Sequence, residues 1–374
     1  MKKISTYFGI IALLFSSCIA EEPLNQECDI TGFASEWLEP YREAGFVVGE
    51  PHVRNNDVSL TFLKGVDRSM LDPVFTLTPG ATITPENGSM HDFNYPVIYT
   101  VTSEDSCWSK KYMVRMQYPT PIKNFHFEHF KLDSKGKYYE FFEMGDTPED
   151  SLYYWASGNP SYKLTGVAKT PDAYPTCSWP NGFVGNCIHL KTVTTGSFGK
   201  MTSPKMPIAA GNLFIGKFDA NRAMKQPLQA TEFGLQLVDA KPVSIEGFYK
   251  YKAGPVVTDQ NDQVLENQKD TCDIYAVVYE VDPNDFKALN GEDVLTSDRI
   301  IMLARIDDPG EPEEWTAFSE PFKMIEGKVW DEQRMSVNGY AISVVMTSSR
   351  QGAYFIGAVG SELFVDEVKI NWEE

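Results

Sequence analysis

Three pairings of a flat ring with a polar side chain could do chemistry in this 374-residue chain: Trp155 with Asn159, Trp179 with Asn181, and Phe248 with Lys250. A ring face can cover the C–H side of a pyranose while an amide or ammonium meets its hydroxyls; the competing use of such rings is to fill a core. Residues 174–179, running Tyr174 to Trp179, are expected to form an exposed aromatic rim. Glycoside hydrolysis would instead need two carboxylates, about 5 Å apart for retention or about 6.5–9.5 Å for inversion. With 52 acidic residues some pair falls near any groove, so their presence decides nothing. Glu232, Glu246, Asp270 and Asp273 carry no hydrolase signature, GxSxG, HExxH and phosphate-loop patterns are missing, and the five histidines form no ligand constellation.

The elements that must position these residues read as strands. In 208–255, Val243, Ile245, Tyr249 and Tyr251 share one parity and Ser244, Glu246, Phe248, Lys250 and Lys252 the other, with Gly247 as a bulge position. This predicts Tyr249 and Tyr251 in the core. Residues 272–280 are apolar on both parities, as in a strand buried on two faces, and 300–306, 341–347, 354–358 and 363–370 continue the pattern. A short helix is expected at 283–289, capped by Asp282. Before residue 119, short alternating runs at 58–63, 74–77, 81–84, 97–102 and 111–116, separated by Pro-Gly and Asn-Gly turns, predict a small β-sandwich. Its one helix-like stretch is 35–44, and its ligand candidates are Trp37 and Trp108.

Net charge is −19, and losing Lys2 and Lys3 with a leader makes it −21. Such a surface excludes nucleic acid as a general partner and suits neutral ligands. Lys2 and Lys3, an apolar stretch from Tyr7 to Phe15 and Ser16-Ser17-Cys18 read as a secretory leader. The ending resembles a bacterial lipobox, which implies lipidation of Cys18, and Glu21-Glu22 resemble the tag of lipoproteins that face outward from the outer membrane of Gram-negative bacteria. Export permits disulfides; Cys28 with Cys107 and Cys177 with Cys187 are the expected pairs, with Cys272 left over. No cysteine spacing suits zinc.

Several stretches carry a resemblance. Residues 71–83 with Asp92-Phe93 and 99–102 resemble an immunoglobulin-like spacer module of bacterial surface lipoproteins. In the second half, Trp155-Ala156-Ser157-Gly158-Asn159, Ala209 to Gly216, Gly247 to Gly254, Asp273 to Tyr279, Thr347-Ser348-Ser349 and Gly360 to Val368 come in the order seen in the putative carbohydrate metabolism domain family, whose members are mostly anchored outer-membrane lipoproteins. Phe125-His126-Phe127-Glu128 with Phe364-Val365-Asp366-Glu367-Val368 is similar to jelly-roll carbohydrate-binding modules, which implies a structural Ca²⁺ held by Glu128 and Asp366. No other cofactor is required.

The expectation is an all-β chain: leader and lipidated Cys at 1–18, tether at 19–28, immunoglobulin-like β-sandwich at 29–119, and a larger jelly-roll β-sandwich at 120–374. It would bind glycan without covalent chemistry, touch the membrane only through its lipid, and work beside other surface glycan-uptake proteins. The alternatives are a glycoside hydrolase with a carboxylate pair in the same groove, and a structural or adhesive surface protein.

Overall fold

A computed structural model describes residues 24–373 apart from positions 45, 55, 63–65, 118–122, 145–150, 153–154, 235, 239, 283–284 and 337–338. The leader, Cys18 and the start of the tether lie outside the described residues. Two units are present, one centred on Glu50–Leu60 and Asp67–Gln117, the other on the chain after Lys123.

The first unit carries a five-stranded sheet ordered Val47–Arg54, Asp57–Phe62, Ser109–Gln117, Val97–Thr102, Thr82–Thr84. Alternation sets its buried face: Val58, Leu60 and Phe62 on one strand, Tyr99 and Val101 on another, Tyr112, Val114 and Met116 on a third. Ile30–Phe33 pairs with Phe75–Leu77 in a separate small sheet. The helix Ser35–Glu43 contains Pro40 and buries Trp37, whose indole donates to Asp72 at 3.1 Å. Trp37 is therefore a core residue, while Trp108 is exposed.

The second unit is built on two sheets facing each other across one core, so the chain is all-β in class, with sandwich architecture. Among the described residues one sheet has six strands, ordered Thr176–Trp179, Cys187–Lys191, Glu362–Trp372, Pro242–Lys252, Thr316–Pro321, with Asn124–Phe125 joined to Glu362–Trp372. The other has eight, its main path running Trp155–Ala156, Asn212–Phe218, Tyr340–Thr347, Asp273–Glu280, Ile300–Arg305, Lys323–Met324. Ile188, Leu190, Ile245, Tyr249, Tyr251, Leu363 and Val365 of the first sheet meet Leu213, Ile215, Ile274, Ala276, Val278, Val344 and Met346 of the second. Asp273–Glu280 is buried on both faces because a further apolar cluster, with Phe214, Tyr275, Val277, Tyr279 and Val345, covers the other side of its sheet.

The parity of Pro242–Lys252 holds except at Val243, which is exposed. The register against Glu362–Trp372 slips between Pro242 and Ser244, which turns Val243 out. A second slip between Glu246 and Phe248 lies at Gly247, where a Cβ would come within 2.8 Å of the Phe318 ring. No helix forms over the described part of 283–289; Leu289 bridges Phe233 instead. Only Gly357–Ala358 of 354–358 is strand, since Gly352–Tyr354 is a 3-10 turn.

Candidate functional site

The site is assembled by register on the outer face of the six-stranded sheet. Cys177 lies opposite His189, His189 opposite Phe364, and Phe364 opposite Lys250, which makes one row across four strands. The neighbouring row holds Trp179 opposite Cys187 and Asp366 opposite Phe248. Phe183, from the loop between the two hairpin strands, stacks on Phe248 with centroids 3.7 Å apart and planes 10° apart; Trp315 meets Phe183 edge-on at 6.4 Å. Lys250 Nζ sits 4.8 Å from the Trp315 centroid and 5.2 Å from that of Phe364, within cation–π range. Trp179 packs edge-on to Phe364 at 5.8 Å and His189 at 5.5 Å. Trp179 keeps 39% of its surface and Phe183 46%, and Asn181 is exposed in the same loop. Four of the six expected contacts, Trp179, Asn181, Phe248 and Lys250, thus belong to one face, joined by Phe183, Trp315 and Phe364.

The other two do not. Trp155 is buried between Phe125 and Phe127, and its indole donates to Glu143 at 3.3 Å. Asn159 is fully buried, its amide donating to Thr176 O at 2.7 Å and accepting from Thr176 N at 3.2 Å. A side-chain amide can serve buried backbone as readily as a ligand, and here the backbone takes it.

Glu128 and Asp366 hold the aromatic loop rather than gather further acids. Asp366 is fully buried; its oxygens accept from Val184 N at 2.9 Å and Glu367 N at 2.8 Å. Glu128 accepts from Asn186 N at 3.1 Å and Asn186 Nδ2 at 2.9 Å. A Cβ on Gly185, whose φ is +55°, would lie 2.1 Å from Glu128 Oε1, so this approach needs glycine. Among the described residues no group of three His, Cys, Asp or Glu is arranged for a metal ion, and these two carboxylates are satisfied by amides, a poor fit to calcium's six to eight oxygens. Burial pushes the Asp366 carboxyl up to about 6.

Both expected disulfides are corrected: Cys28, Cys107, Cys177, Cys187 and Cys272 are free. Cys177 faces His189 and Cys187 faces Trp179, so the two are diagonal across the hairpin, a spacing of roughly 7–8 Å that a disulfide does not span. Cys107 turns its Sγ back to Asp105 O at 3.4 Å. Cys177 Sγ lies 3.8 Å from His189 Nδ1, and Glu362 Oε1 lies 3.2 Å from His189 Nε2. This is no activated nucleophile: burial pushes the Cys177 thiol up to about 11 and lowers His189, favouring the neutral forms of both.

Residues 126–371 match the family described as putative carbohydrate metabolism domain, and residues 46–116 match the one described as SGBP, N-terminal. The chain belongs to the putative carbohydrate metabolism domain family. It is similar to a solved structure from Bacteroides thetaiotaomicron entitled a putative glycoside hydrolase, at 41% identity over 95% of this chain and 99% of that one, with a TM-score of 0.66. A second, from Bacteroides vulgatus and with the same description, is 38% identical over 68% of this chain and 100% of its own, with a TM-score of 0.62. No curated protein matches the chain.

The family stretches have a structural meaning that their sequence did not reveal. Residues of four of them, Gly158, Asn212, Asp273, Tyr275, Thr347 and Ser349 among them, line a groove on the outer face of the eight-stranded sheet. Ser349 and Ser361 meet a buried carboxylate, Asp270, at 2.6 and 2.7 Å.

Proposed function

We propose that this protein binds glycans non-covalently on the aromatic face of its six-stranded sheet, at the surface of a Gram-negative bacterium, with the first unit as spacer and a lipidated Cys18 as anchor to the outer membrane. The observation that carries this reading is the convergence of Trp179, Phe183, Phe248, Trp315 and Phe364 around Lys250 on one sheet face. Rings held by cross-strand packing offer flat area to a sugar with little ordering cost, and Lys250 and Asn181 supply donors for hydroxyls. Among the described residues no carboxylate pairs with Lys250 within ion-pair distance, which leaves its ammonium for a ligand. Membership of a carbohydrate-related family and an SGBP-type N-terminal match support the class of ligand and the surface location. Other surface glycan-uptake proteins are the fitting partners.

The description of the two similar structures as putative glycoside hydrolases favours hydrolysis as a second reading. The acids around the aromatic face are engaged: Asp366 by amides, Glu362 by His189, Glu246 by the Ser244 and Ser319 hydroxyls at 3.3 Å. A glycan array probed with the full chain, run beside an assay of reducing-sugar release, separates the two. Binding without release is the expected result, and Trp179→Ala should weaken it by about tenfold, roughly 1.4 kcal/mol, with an unchanged melting curve because the ring is partly exposed. Sugar release by the wild type would replace this reading with hydrolysis.

A further inference from the structure

The opposite sheet carries a second concavity, and register fixes its floor. Asn212, Thr347 and Asp273 stand opposite one another on three adjacent strands, and two residues inward Phe214, Val345 and Tyr275 repeat the row. Residues two apart on a strand share a face, so a polar row lies about 7 Å from an aromatic and aliphatic one. The short segments Asn159–Tyr162, Gly196–Met201, Ala220–Ala223, Pro227–Ala230 and Gly352–Tyr354 contribute the walls. They leave a cavity of about 270 Å³, with Phe198 and Tyr354 exposed among its lining residues.

Two buried polar atoms border it without lying open to it. Ser161 Oγ and Arg350 Nε are buried and have no hydrogen-bond partner among the described residues. Arg350 gives its other nitrogens to Ile306 O and Asp307 O at 3.0 and 3.1 Å, and its Nε lies 3.6 Å from Asp273 Oδ1. Asp273 is itself forked by Arg305 at 2.8 and 2.6 Å. Glu292 on the lining accepts from Gln229 at 3.1 Å. Counting Arg305 bonded to Asp273 beside the lining, two arginines against two acids leave the site close to neutral, so no net field draws an ion. With no accessible surface, Ser161 Oγ and Arg350 Nε are closed to a ligand in the cavity, and the half-buried polar side chains of its floor are Asn212 and Thr347. A hydrocarbon would fill the volume but match only the apolar row, whereas a ring with hydroxyls on its edge and an apolar face matches both rows of the floor.

We infer that this cavity is a second ligand site, separate from the aromatic face, that takes a single uncharged pyranose-sized ring. The ring's apolar face bears on the aromatic side, and its hydroxyls reach Asn212 and Thr347. The test is calorimetric titration of the full chain with neutral methyl glycosides of glucose, galactose, mannose and xylose, and with decanoate as the hydrocarbon probe. At least one glycoside should saturate a single site. Ala353→Trp, which fills the cavity from an exposed lining position, should weaken it tenfold or more, and Thr347→Val severalfold. Trp179→Ala, on the other sheet, should leave it unchanged. The inference is overturned if no glycoside binds, if decanoate binds in their place, or if Trp179→Ala abolishes binding while Ala353→Trp does not. Polymer binding lost only in Trp179→Ala would keep the aromatic-face reading and remove this one.

Discussion

Asp270→Ala should lower stability by about 2–4 kcal/mol, the cost of leaving several buried donors without an acceptor. Asp270 Oδ2 accepts from Ser349 Oγ at 2.6 Å, Ser361 Oγ at 2.7 Å and Ala358 N at 2.8 Å, and Oδ1 accepts from Thr271 N at 2.9 Å. Thr192 Oγ1 extends the network to Ser348 at 2.8 Å and to Ser349. Except for half-buried Thr271 these residues are buried, and they join the end of Tyr340–Thr347, the short strand Gly357–Ala358 and the start of Glu362–Trp372. The hydroxyls can rotate toward other acceptors, but the Ala358 amide cannot. Asp270→Asn should cost less, about 1 kcal/mol, because one oxygen remains while the new amide nitrogen confronts the Thr271 N–H. Urea unfolding of the two variants measures both numbers. A loss in Asp270→Ala no greater than in Asp270→Asn would show that the carboxylate is not the organising acceptor.

This network marks the boundary of what the sequence made legible. Alternation was readable wherever a strand keeps its pleat: Ile245, Tyr249 and Tyr251 point inward, and Phe248 and Lys250 outward. It failed at Val243 because a bulge is decided by the partner strand's register, which one strand's own pattern does not contain. Asp273–Glu280 was readable as buried on two faces because both parities are apolar. Trp179 and Asn181 were found through their types alone: the exposed aromatic rim expected at 174–179 is buried from Tyr174 to Ser178 and partly a strand, with only Trp179 exposed. Trp155 and Asn159 have equally suitable types but lie buried, since residue type alone does not say whether a ring faces solvent or Phe125 and Phe127. Phe183, Trp315 and Phe364 were missed because they reach the face from a loop, a loop end and a distant strand. The groove was missed for the same reason on a larger scale: its lining comes from many segments with no common period. Ser348, Ser349 and Ser361 carried part of the family resemblance and proved to be structural hydroxyls of the network around Asp270, while Thr347 belongs to the groove floor.

A large pH effect in the acid range is expected from Asp366. Its carboxyl, ordinarily at 3.8, is pushed up to about 6 by burial, against the lowering pull of the Val184 and Glu367 amides. A raised acid binds its proton more tightly in the folded chain than in the unfolded one. The folded state therefore holds more protons between these two values, and stability must fall as pH rises through that window. The shift corresponds to about 3 kcal/mol, fully present below pH 3.8 and lost by about pH 6. Carboxylates held low by their partners, such as Asp29 with Lys110 and Glu362 with His189, act in the opposite sense. The measurement must accordingly be a difference: stability of Asp366→Asn minus that of the wild type, followed by urea unfolding across the window. The difference should climb by about 2 kcal/mol from pH 4 to pH 7, most of the full span, and level off above. A flat or falling difference would mean that Asp366 is ionised as easily in the fold as in water. The same titration decides the calcium expectation, because a bound dication would favour the ionised carboxyl and pull its value down. Added Ca²⁺ should leave the wild-type profile unchanged if Asp366 serves only to pin the loop that carries Phe183; collapse of the pH dependence on adding calcium would restore a metal site at Glu128 and Asp366.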